Sequence, residues 1–174
     1  MNQIVENVIA FASWYIGRKE KKGNSGFEDP AFEKEMVKAG WRKGDPWCAT
    51  FVRLIYLKVF IADQVLLSAV KSQFNASAKQ TFDNAKRAGV FETGSVPEPG
   101  AVCVCLNGYG PAGHEFIVES VSFKTNTMST IEGNTNASGS REGDRVAGKL
   151  RTISRSFQSN GLNVYGYIYP RLKK

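Results

Sequence analysis

Three stretches of the chain carry side chains able to break an amide bond: Cys48 in GDPWCATFV, His114 in GHEFIVESV, and Glu132 with Asn134 in IEGNTN. A thiol attacks a carbonyl only as its thiolate. It then needs an acid–base partner, most often histidine, which a third group holds in one tautomer. His114 is the single histidine of the chain, so only one assignment of that base is open. Either Glu132 or Asn134 could accept the second imidazole proton. Each residue also has a plainer reading. Cys48 could be a small buried residue of an apolar stripe, and His114 a structural or surface imidazole. Glu132 could be a surface carboxylate and Asn134 a turn residue.

Chemistry of this kind depends on how the elements around the residues place them. Asp45 is a capping type and Pro46 suits a first helical position, so the pattern predicts a helix opening there with Cys48 in its first turn. The free N–H groups and the dipole at that end favour a thiolate and can also hold an oxyanion. Phe51, Val52, Ile55 and Val59 continue one face from Cys48 and give the sulfur a buried mount. His114 stands where the glycine-rich loop Asn107 to Gly113 enters a strand. The segments His114 to Ser120 and Thr127 to Asn134 read as an antiparallel hairpin turning at Phe123 to Thr125, which brings residues 132–136 opposite His114. Strict alternation then puts Glu132 and Asn134 on one face.

Further out, helical periodicity covers about residues 2–16, 31–39, 63–74 and 77–88, the last closed by Gly89. Between the first two of these, Gly23 to Pro30 forms a turn-rich connection that is either a substrate-contacting loop or a plain surface loop. Pro97-Glu98-Pro99-Gly100 marks a change of character. After it come runs rich in β-branched and aromatic residues at 101–106, 115–121, 127–132, 146–154 and 164–169. Helices first and strands second predict an α+β domain over residues 1–174, with N-terminal helices packed on a C-terminal antiparallel sheet. At 174 residues a single core suffices.

Composition narrows the functional classes. A formal net charge of +7 favours a polyanionic partner such as nucleic acid, anionic lipid or cell wall. No nucleic-acid reader motif accompanies the charge, so no nucleic-acid partner is expected. No run approaches the roughly 18 apolar residues of a membrane span, so no membrane insertion is expected. The N-terminus lacks a basic region before its apolar residues, and synthesis in the cytoplasm without a signal peptide is the expectation. Three cysteines suggest reduced thiols. Cys103 and Cys105 share one face of a strand and read as core, at a spacing unlike that of the usual zinc sites. No metal and no cofactor is expected, and a monomer is the expected state.

Taken together, PWCATFV, GHEFIVESV and IEGNTN, in this order and spacing, resemble the CHAP family, the cysteine- and histidine-dependent amidohydrolases and peptidases that cut peptidoglycan on a papain-like fold. The resemblance covers about half the chain. It implies Cys48 as nucleophile, His114 as general base and then acid, Glu132 as orienter and Asn134 as a neighbouring polar contributor. It also implies peptidoglycan as partner and cleavage of an amide of the stem peptide or cross-bridge through an acyl-enzyme. Relatives of this unsecreted, compact kind include phage endolysins released by lysis and effectors delivered by secretion systems. Ala101 stands where relatives often carry an acidic residue, and the close aspartates through which some bind calcium are missing. With no separate wall-binding module in view, the basic surface and the aromatics Trp41, Trp47 and Tyr109 are left to hold substrate, although packing is the plainer role of these rings. The other class kept open is a catalytically inactive wall-binding module of the same fold.

Overall fold

Helix signals in the sequence translate directly into capped helices. A computed structural model of the chain describes residues 2–136 and 143–174. Asn2 caps α1 (Gln3–Trp14), Asp29 caps α2 (Pro30–Lys38), Asp63 caps α4 (Gln64–Gln73) and Ser77 caps α5 (Ala78–Ala88). Each side chain accepts backbone N–H groups that the first turn leaves without partners. Gly89 closes α5 at φ 65°, a left-handed conformation that glycine adopts without strain. The exception among these helices is α3 (Cys48–Val59), which starts without a side-chain cap.

The strands are β1 (Phe91–Gly94), β2 (Val102–Asn107), β3 (Gly113–Ser122), β4 (Thr127–Thr135), β5 (Arg145–Thr152) and β6 (Leu162–Leu172). They form one antiparallel sheet in the order β1-β6-β2-β3-β4-β5. The hairpin of β3 and β4 has the expected turn, with Ser122 opposite Thr127 and Ile117 opposite Ile131. Only β1 goes beyond the sequence reading. Its four residues, FETG, are too few to show an alternating pattern.

Alternation divides the sheet into two faces. Val102, Val104, Ile117, Ile131, Val146 and Ile168 point into the main core with α1, α3, α4 and α5. Ala101, Cys103, Cys105, Phe116, Val118, Met128, Tyr167 and Tyr169 form a second cluster on the other face. This is the α+β layout expected, N-terminal helices on a C-terminal sheet. The start of α3 meets the ends of β3 and β4, the point where the three sequence motifs converge.

Candidate active site

The N-terminus of α3 is fixed by packing where a cap would otherwise hold it. Trp47 occupies the capping position with φ −122° and no side-chain cap. Asp45 and Pro46 therefore precede the helix and do not open it, which corrects the sequence expectation. The backbone carbonyl of Asp45 instead accepts the Trp41 indole N–H at 3.0 Å. Trp47 has no exposed surface. Its ring meets Phe27 edge-on at 5.1 Å and Phe51 at 6.4 Å, and its indole N–H donates to Glu20. Trp47 is thus a support behind Cys48 and not a substrate contact, because no part of its ring reaches the surface. Trp41 is likewise buried.

From the sheet side, Gly133 presses against the same point. A Cβ at Gly133 would lie 2.7 Å from the Phe51 Cβ and 2.8 Å from the Trp47 ring. Only glycine lets the backbone of β4 come this close to α3. The glycine of IEGNTN therefore sets the distance between the helix carrying the thiol and the strand carrying Glu132.

Cys48 and His114 face each other across this junction. Burial would push the Cys48 thiol up, but the charge and hydrogen bond of His114, with the backbone groups of Glu115 and Ala49, outweigh it and leave the thiol below its ordinary value. Burial alone would lower His114; the Cys48 sulfur and then Glu132 raise it to about 10. Both shifts describe one state, a thiolate beside an imidazolium. The Nε2 of His114 lies 2.9 Å from Glu132 Oε2, which leaves Nδ1 as the ring nitrogen for the sulfur.

Glu132 has no exposed surface and four hydrogen-bonded contacts. Besides His114 it accepts Thr130 Oγ1 at 2.6 Å, and Arg151 grips it with Nε at 2.5 Å and Nη2 at 2.6 Å. Burial opposes ionisation, yet the bonds from Arg151 and His114 hold its carboxyl down at about 2. Arg151, stacked 4.9 Å over the Phe116 ring, has no motif to mark it in the sequence. It lies in a basic strand, RVAGKLRT, with no motif around it. The available signal was its alternation with Lys149 in a strand able to pair with that of Glu132.

Asn134 reaches the site by another route than simple alternation. The pairing of β4 with β5 shifts between Glu132 and Thr135, and Asn134 has φ 54°, a left-handed conformation that asparagine tolerates better than most residues. Glu132 consequently lies beneath the imidazole, while Asn134 lines a cleft of about 780 Å³ with Cys48, His114 and Asn24. Asn24 belongs to the turn-rich connection before α2, so part of that loop does border the cleft. Tyr109 is 89% exposed on the loop before β3, its ring 4.8 Å from Phe157.

Glu115, next to His114, likewise carries no signal of its role in the sequence. It points into the main core with no exposed surface, and among the described residues neither carboxyl oxygen has a hydrogen-bond partner. Burial, and then the nearby Cys48 sulfur, push its carboxyl well above the usual range. Cys103 and Cys105 are free and buried, their sulfurs 3.8 Å apart. Among the described residues, no three His, Cys, Asp or Glu side chains cluster in a way that could hold a metal ion. Nor is any described helix long and apolar enough to cross a membrane.

The sequence model of the CHAP domain matches residues 39–134. The match includes Cys48, His114, Glu132 and Asn134 and ends before Arg151. Among solved structures, one titled "The crystal structure of Ly7917" is similar in fold, with a TM-score of 0.55 and 17% sequence identity. The similarity covers 95% of this chain and 62% of that one, so this chain spans less than two thirds of its length. No curated protein matches the sequence.

Proposed function

This chain belongs to the CHAP family of peptidoglycan hydrolases, and from that premise we propose that it cuts an amide bond of the wall's stem peptide or cross-bridge with Cys48 as nucleophile. The observation that carries the reading is the line from the Cys48 thiol through His114 to Glu132, with the thiol lowered and the imidazole raised. The sulfur attacks the amide carbonyl, and the oxyanion that forms is held by backbone N–H groups at the start of α3. His114 gives its proton to the departing amine, leaving a thioester on Cys48. The imidazole, now neutral, takes a proton from water, which attacks the thioester and releases a carboxylic acid. The thiolate and imidazolium are restored.

Glu132 keeps the ring in the orientation that offers Nδ1 to sulfur, and Arg151 keeps Glu132 ionised. Asn134 and the exposed Tyr109 are proposed as polar and aromatic contacts to the substrate at the cleft and its rim. We place the activity outside the cytoplasm, on wall reached by lysis or by delivery, with the protein acting as a monomer.

Purified peptidoglycan tests the reading. Wild-type protein is expected to clear it and to release fragments with new amino and carboxyl ends, identified by mass spectrometry. Cys48→Ala is expected to abolish both. Iodoacetamide is expected to label Cys48 at neutral pH. Clearing by Cys48→Ala at the original rate would remove Cys48 from the mechanism.

A further inference from the structure

The cleft around Cys48 does not end at the catalytic groups. Past Arg151 it runs into a second hollow of about 560 Å³ on the sheet face opposite the helices. Leu150, Arg151, Arg155 and Leu162 border both hollows, so the two form one groove. Its charge is one-sided. Lys149, Arg151 and Arg155 line it, and among the described lining residues there is no aspartate or glutamate.

These cations are not equivalent. Arg151 is taken up by Glu132. Arg155 is exposed, and among the described residues no carboxylate pairs with it; its guanidinium donates to the Leu162 backbone carbonyl. That bond anchors one nitrogen of the fork, and the exposed guanidinium keeps further N–H groups with which a carboxylate could be bound. The loop behind it is tied to the glycine-rich loop before His114, since Gly108 N–H donates to the Gly161 carbonyl at 2.9 Å. Arg155 is therefore positioned relative to the reacting groups. Lys149 Nζ donates to the Asn136 carbonyl just past the end of β4 and is the second cation without a carboxylate among the described residues.

Resting on the hydrolase reading above, we propose that this groove selects amides flanked by a free carboxylate on the substrate, with Arg155 as the specificity-determining residue and Lys149 as a second cation. An anionic peptide entering the groove meets positive charge and, among the described lining residues, no repelling acid. A carboxamide at the same position keeps the shape and loses the charge-assisted bond. The preferred substrate is an acidic peptide, and the charge that matters lies on the peptide beside the scissile amide.

The test uses soluble wall fragments with their peptide carboxylates either free or converted to carboxamides, so that attraction to a bulk polyanion does not enter. The wild type is expected to show a kcat/KM about tenfold or more higher on the carboxylate form, the difference that one charge-assisted contact provides. Arg155→Gln is expected to bring the ratio close to one, and Arg155→Lys to retain part of it. Lys124→Gln, which removes the same charge at the far end of β3, is expected to keep the full ratio. Equal rates for wild type on the two forms overturn the selectivity while leaving hydrolysis standing, as does a full ratio in Arg155→Gln. If neither form is cut, by wild type as by Cys48→Ala, the hydrolase reading falls and the selectivity with it.

Discussion

Replacing Glu115 by glutamine removes one titrating proton from the core and leaves the shape of the side chain almost unchanged. In the folded protein this carboxyl is held well above its ordinary value of 4.5 by burial and by the Cys48 sulfur, with His114 opposing. Tyr56, pushed upward by its own burial and by Glu115, shares the same interior. Above pH 4.5 the unfolded chain releases the Glu115 proton while the folded chain keeps it. The native state then binds one proton more, so Glu115 lowers stability as pH rises, by about 1.4 kcal/mol per unit until its folded pKa is reached. Each such unit corresponds to about 3–5 °C in Tm for a domain of this size. Glu115→Gln has no proton to release, and other groups cancel in the comparison. Urea or thermal melts of both proteins at fixed ionic strength, from about pH 5 upward, are expected to show the variant's advantage widening at that slope. In a Cys48→Ala background, where the sulfur no longer raises Glu115, the widening is expected to stop at a lower pH. A difference independent of pH would refute the protonated, unpartnered carboxyl.

Three further outcomes follow from the site. Glu132→Gln withdraws the carboxylate that helps hold His114 at about 10, so the pH above which activity fails is expected to move down, with kcat reduced by about a hundredfold or more. Arg151→Met leaves Glu132 buried without its main cation and is expected to cost about 3–5 kcal/mol in urea denaturation, with partial recovery in Arg151→Lys. Gly133→Ala drives a methyl group to 2.7 Å from Phe51 and should slow iodoacetamide labelling of Cys48 by shifting the start of α3, while far-UV circular dichroism keeps its helical signal.

The helices were legible because their caps and stops lie close in sequence: Asp29 with Pro30, Asp63, Ser77 and Gly89. The β3–β4 hairpin was legible for the same reason, and with it the approach of Glu132 to His114. What escaped was set by contacts distant in the chain. Trp47 stays open between substrate contact and packing in the sequence, because nothing local reveals that Phe27 and Glu20 enclose it. Asp45 looked like a cap because local propensity cannot foresee that packing of Trp47 defines the helix start. Arg151 sits 19 residues beyond Glu132 in a strand whose register only the sheet determines. Asn134 departs from alternation because the backbone turns left-handed there, which the letter N permits without requiring.

The sulfur proposed to react comes from the helical layer, its proposed proton partner from a central strand, and the arginine that holds Glu132 from an edge strand about a hundred positions later. A nascent polypeptide therefore carries only an ordinary, sluggish thiol for most of its synthesis. Reactivity is born in the same event that locks the two layers together, and any agent that pries them apart returns the sulfur to an ordinary thiol.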